Sequence, residues 1–188
     1  MLAREGEMAK ARAMLIQAAV AEPYNKIVWR ELHAWATLNN TQLNLVYVAI
    51  PELNDGEDAR SKLRPQRMAA SPAWKAYWVV KRNWQTGEFQ KHFFEEKEYR
   101  HSLGEESEAL TAAAKVVEKL QEDKELAGLL THDTTATLLL KLYHAGLIEP
   151  YILFSLGDNG IARDYAAYRI HNRKKLEEYL NQFVIPAR

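Results

Sequence analysis

The sequence predicts a mostly α-helical protein, and three observations carry that expectation. Apolar residues recur at spacings of three and four along most of the chain. Helix-start and helix-stop residues bracket those runs. The second half contains no strand-like alternation. The N-terminal stretch Gly6–Leu38 organises this reading. Ala11, Leu15 and Ala18 share one face of a first helix, and two of the three are small, so a neighbouring helix can approach closely. Pro23 stops that helix, and Asn25 is placed to cap the next. Trp29, Leu32 and Ala36 then form the inner stripe of a second helix, so the pair should pack face to face.

After Asn39-Asn40-Thr41 the pattern changes. Leu43–Ile50 is rich in β-branched and aromatic residues and ends at Pro51, which suits a short extended segment at 43–50. The stretch 52–71 is polar, with a turn at Asn54-Asp55-Gly56. Its basic cluster of Arg60, Lys62, Arg64 and Arg67 reads as a solvated linker. Ser71-Pro72 opens a helix to about Gln85, with Trp74, Tyr77, Trp78 and Trp84 near one face and Lys81 among them. Gly87 closes it, and Phe89, Phe93 and Phe94 follow. Such aromatics can wall a ligand cleft or stack bases, but core packing is the commoner use of aromatics at helical spacing.

Ser102-Leu103-Gly104-Glu105 is a capping box opening a helix to about Asp123. Residues 131–145 form another, ended by Gly146 as a left-handed cap. Glu149-Pro150 starts a short apolar helix that stops at Gly157. Asp158 can cap a helix from Asn159 to about His171, and a last helix spans Arg173–Val184. The expected division is therefore a helical hairpin at 1–40, an irregular linker at 41–72 and a helical domain at 73–188.

Gly6, Ala11, Leu15, Ala18, Pro23 and Asn25, followed by Trp29 and Leu32, resemble the second helix of a tetratricopeptide repeat and the first helix of the next. The match covers roughly a fifth of the chain, by the repeat length of that family. His33 stands where the family usually has Gly, and Ala36 where it usually has Tyr. Leu45 and Pro51 break the register after Asn40, so at most one and a half repeats are present. The resemblance implies a truncated repeat array, with Leu2–Glu5 as the end of a preceding helix and the chain as the C-terminal part of a longer repeat protein. It also implies a protein or peptide partner bound through Arg30, Glu31 and Ala34 on the helix that holds Trp29. Residues 73–186 loosely resemble the C-terminal helical region of some bacterial repeat proteins, which implies an architecture and no chemistry.

Composition narrows the function classes. Twenty-five basic residues balance 25 acidic ones, which argues against a general nucleic-acid or membrane-surface binder. The chain has no cysteine, so disulfides, thiol nucleophiles and cysteine-held zinc are excluded. No apolar run has membrane-spanning length, and the charged N-terminal run reads as a helix rather than a signal peptide. The expectation is a soluble module without cofactor, in a compartment the sequence leaves open, with the cytoplasm favoured.

One carboxylate–histidine set stands out: Glu98, His101 and Glu105, at spacings of three and four. It is the basis of an alternative reading as a metal-dependent hydrolase. Two features weigh against it. A dinuclear site of that type needs a second Glu-x-x-His, and the capping box puts His101 just outside the helix. No two of the six histidines stand three to five apart, so a compact zinc pair is absent. Gly157-Asp158-Asn159-Gly160 lacks the later ligands of a calcium loop and reads as a turn between helices. No nucleophile elbow, phosphate loop or dinucleotide fingerprint occurs. The leading expectation is a non-catalytic interaction or scaffold module, with a structural cap of a repeat array as a further alternative.

Overall fold

The computed structural model of the chain describes residues 7–44, 46–51, 72–123 and 134–185. Its elements are helical: α1 (Met8–Ala21), α2 (Lys26–Leu38), α3 (Pro72–Asn83), α4 (Phe89–His92), α5 (Leu103–Glu122), α6 (Thr134–His144), α7 (Ile148–Tyr151), α8 (Asn159–Ala162) and α9 (Tyr165–Tyr179). Two five-residue π-helical turns, Ile152–Leu156 and Leu180–Val184, extend α7 and α9, and Trp84–Glu88 joins α3 to α4 across a kink at Gly87, whose φ of 162° and ψ of −24° are not helical. The described residues contain no strand, and those among 43–50 are not helical; the Asn44 amide donates to Val184 O at 2.9 Å. No described helix is long and apolar enough to cross a membrane. The polar stretch 52–71 with its basic cluster, the residues 1–6 and the cap Ser71 lie outside the described residues.

The chain forms two compact units. One joins Met1–Val46 to Arg163–Arg188, and the other is Tyr47–Ala162. This division differs from the expected 1–40, 41–72 and 73–188. The C-terminal helix belongs with the N-terminal pair, not with residues 73–162.

In the first unit, Asn25 caps α2 by accepting from the Ile27 amide at 2.9 Å. The Trp35 indole N–H donates to the Met8 carbonyl at 3.2 Å, so the end of α2 meets the start of α1 and the pair is antiparallel. Ala11, Ile16, Ala19 and Val20 are buried on α1, and Leu32, Trp35 and Ala36 on α2. The last carbonyls of α1 have no partner within their own helix. Tyr165 Oη donates to Val20 O at 2.6 Å, and the Arg169 guanidinium donates to Ala21 O. Arg12 Nη2 reaches Ile185 O at 2.6 Å. These bonds explain why the C-terminus returns to α1. Its helix also buries Leu176, Tyr179 and Leu180 completely. The expected boundary between helices near residue 172 survives as a break at Asn172, whose φ of −124° and ψ of 23° leave the helical range.

In the second unit α5 is the central element, packed against α3, α6 and α7. Its Ala109, Ala113 and Ala114 are fully buried, small enough for close helix approach. Ser102 caps it, accepting from the Glu105 amide at 3.2 Å. Gly146 has a φ of 67°, and the Gly146 and Leu147 amides donate back to Tyr143 O (3.0 Å) and Leu142 O (2.9 Å). That is the expected left-handed cap. Tyr151 is completely buried, and its hydroxyl accepts from the Val48 amide at 2.9 Å, which anchors the irregular segment before residue 51.

Candidate functional site

The aromatic stripe of α3 is core. Trp74, Tyr77 and Trp84 are 3–4% exposed, and Trp78 donates its indole N–H to Pro51 O at 3.1 Å. On the same face stands Lys81, with a side chain only 9% exposed. An ammonium group cannot be buried there without carboxylates, because burial strips its hydration. The first turn of α5 supplies two. Lys81 Nζ lies 2.6 Å from Glu105 Oε1 and 3.0 Å from Glu106 Oε2. Both carboxylates sit at a helix N-terminus, where the macrodipole favours negative charge.

The network continues from both glutamates. Tyr77 Oη donates to Glu106 at 2.8 and 3.1 Å, and Tyr99 Oη donates to Glu105 at 2.9 Å to each oxygen. His101 Nε2 lies 2.8 Å from Glu106 Oε2, and its Nδ1 lies 2.8 Å from Asp158 Oδ2. The other oxygen of Asp158 accepts from the Gly160 and Ile161 amides at 2.8 and 2.9 Å, capping α8 as expected. Arg100 Nη1 donates to Gly160 O at 2.9 Å, and its guanidinium is held by Glu96. A Cβ on Gly160 would lie 2.2 Å from the His101 carbonyl oxygen, so only glycine permits this approach of the two backbones. Two cations, Lys81 and His101, thus face three carboxylates, Glu105, Glu106 and Asp158.

The ionisation of these groups follows from their partners. Burial favours the neutral form of Glu106, but the hydrogen bond from His101 and the charge of Lys81 outweigh it and hold the carboxyl below its usual range. Burial also works against charge on His101. Hydrogen bonds to Glu106 and Asp158 overcome that effect and the repulsion of Lys81, so the imidazole pKa is raised. Asp158 is lowered: burial pushes it up, but the Ile161 amide and His101 offset this. Burial and the bond to Glu105 push Tyr99 up to about 12, and burial together with Glu106 raises Tyr77 further. Both phenols are therefore neutral donors at ordinary pH.

No protein-family model matches the chain, and neither a curated protein nor a solved structure matches it.

The structure separates the residues of the hydrolase reading. Glu105 is committed to Lys81 and Tyr99, and both ring nitrogens of His101 are taken by Glu106 and Asp158. Glu98 is exposed, outside the network. Among the described residues, no group of three or more His, Asp or Glu side chains converges as a metal cradle. His144, near the end of α6, is paired with Glu118 at 2.7 Å. The partner-binding candidates do share one surface: Arg30, Glu31 and Ala34 are exposed on α2, with Arg30 Nη2 2.9 Å from Glu31 Oε1. They are flanked by Ile27 and Leu38, 58% and 69% exposed.

The residues that sequence reasoning left out are Lys81, Glu106, Tyr77, Tyr99 and Asp158 in its charged role. One signal for them was present. Trp74, Tyr77, Lys81 and Trp84 fall at spacings of three, four and three, so Lys81 occupies a core position and demands a buried counter-charge. Which carboxylate answers it is a tertiary fact that spacing alone does not contain.

Proposed function

We propose that this chain is a non-catalytic protein-interaction module of the helical-repeat kind, with the outward face of α2 as its recognition surface. The observation that carries the reading is the split character of α2. Leu32, Trp35 and Ala36 are buried on one side, while Ile27, Glu31, Ala34 and Leu38 stand exposed in line on the other. A partner covering this line gains apolar burial at its two ends and meets the Arg30–Glu31 pair between them. Such charges set orientation more than affinity. The charge network of the second unit supports a structural part for that unit, because its ionic heads are turned onto one another.

The test is capture of a protein partner by the intact chain, compared with an Ala34→Arg variant. Ala34 is exposed, so the variant folds normally and should lose the partner. Equal capture by both would remove α2 from the recognition surface.

A structural cap of a repeat array is a second reading, favoured by one observation. The returning C-terminal helix already covers α1, through Tyr165, Arg169 and the Arg12–Ile185 contact. A terminal unit closes an apolar face in this way. On that reading, Ala34→Arg leaves the proteins that copurify with the chain unchanged, whereas Leu176→Ala, which opens the packing beneath α9, makes the chain aggregate.

A further inference from the structure

His101 stands between a buried carboxylate and an exposed one. Glu106 is 2% exposed in its side chain and is held in addition by Lys81 and Tyr77. Asp158 is 51% exposed and belongs to the turn that leads into α8. Both ring nitrogens are 2.8 Å from a carboxylate oxygen. A neutral imidazole has one N–H and one lone pair, so it can donate to only one of these partners. Its other nitrogen would set a lone pair against a carboxylate oxygen. The geometry as it stands therefore requires the imidazolium form.

We propose that His101 is a pH-operated latch: protonated, it ties the Asp158 turn to the start of α5, and on losing its proton it keeps Glu106 and releases Asp158. The order of release follows from burial. Abandoning Glu106 would take a hydrogen bond from a carboxylate that water does not reach, whereas water can replace the ring at Asp158. The surrounding groups reinforce this order. Lys81 and Tyr77 from α3 and Glu105 from α5 are committed to the buried end of the network. At the exposed end, Tyr99 is turned to Glu105, and Arg100 is bound to Glu96 and the Gly160 carbonyl. Besides the latch, the Arg100–Gly160 bond and the close backbone approach at Gly160 join this turn to the 99–101 segment. The turn lies just before Arg163, where the chain leaves this unit. Because the folded pKa of His101 is raised above its ordinary value of 6.5, the latch is closed on the acid side of that folded value and opens as pH rises through it.

The experiment is a titration of the intact chain from about pH 5.5 to about pH 9, following the imidazole nitrogens by NMR and amide protection by hydrogen exchange. His101 should carry protons on both nitrogens at the acid end, with a midpoint above 6.5. Protection of the Gly160 and Ile161 amides, corrected for intrinsic exchange, should fall about tenfold with the same midpoint, the loss expected for a charge-assisted hydrogen bond. Asp158→Asn keeps an oxygen for those amides and removes the charge. It should bring the His101 midpoint down and make the protection independent of pH. A His101 midpoint at or below 6.5 would overturn the proposal. So would Gly160 and Ile161 protection that does not follow the titration, or a midpoint unmoved by Asp158→Asn.

Discussion

Replacing Lys81 by methionine probes the charge network at its least compensated point. The methionine fills much of the same volume, so the change removes the charge and little packing. At 2.6 and 3.0 Å, each ion pair contributes about 6 kcal/mol of gross attraction at an effective dielectric of about 20, most of it offset by the desolvation of three buried groups. The net cost comes from what is left behind: Glu105 and Glu106, both essentially inaccessible, with only His101 and two phenols to answer them. Stranding a buried charge in this way costs about 3–5 kcal/mol. Denaturant unfolding at pH 7, read by the tryptophans of α3, should show a loss of that size. Adding Glu106→Gln to Lys81→Met should recover part of it. The loss should also shrink as pH falls, because the orphaned Glu106 carboxyl can then take up a proton. A loss below about 1 kcal/mol at pH 7, of the size typical of an exposed ion pair, would refute the reasoning.

Tyr77→Phe removes the hydroxyl that donates to the buried carboxylate of Glu106, and should destabilise the protein by about 1.5–3 kcal/mol in the same assay. Gly160→Ala places a Cβ against the His101 carbonyl, a backbone atom that cannot swing aside. It should cost about 1–3 kcal/mol and weaken the Arg100–Gly160 bond, seen as faster exchange around residue 160. The stability–pH profile should fall on both sides of a maximum. Glu106 and Asp158, with lowered pKa values, contribute stability above their unfolded values of 4.5 and 3.8, and this is lost as pH drops through the folded values. His101, with a raised pKa, contributes stability that is complete below 6.5 and lost as pH rises through its folded value. Urea midpoints measured across the range should therefore be highest between those limits.

Local chemistry made much of the helix layout legible. Asn25, Ser102 and Asp158 cap the helices that their positions suggested, and Gly146 adopts the left-handed conformation that ends α6. Each of these depends on residues only a few positions apart. The expected helix from Asn159 to His171 is less regular: it stops at Ala162 and restarts at Tyr165, after Asp158 has capped only its first turn. What could not be read were the pairings between distant elements. Nothing near Tyr165 or Arg169 reveals that their polar heads answer carbonyls of α1, over 140 residues earlier. The site suffered from the same limit. His101 and Glu105 read as possible ligands in the sequence, because spacing shows which groups are close along the chain. It does not show Lys81 arriving from α3 to hold Glu105 and Glu106, or Asp158 arriving from the other side to close the ring of His101.

The most direct test of the recognition surface is quantitative affinity capture with the intact chain and its Ala34→Arg variant, matched for stability by denaturant unfolding. The account predicts a stoichiometric protein partner with the native chain and its loss with the variant. A partner retained equally by the variant, or no stoichiometric partner for the native chain, would contradict it.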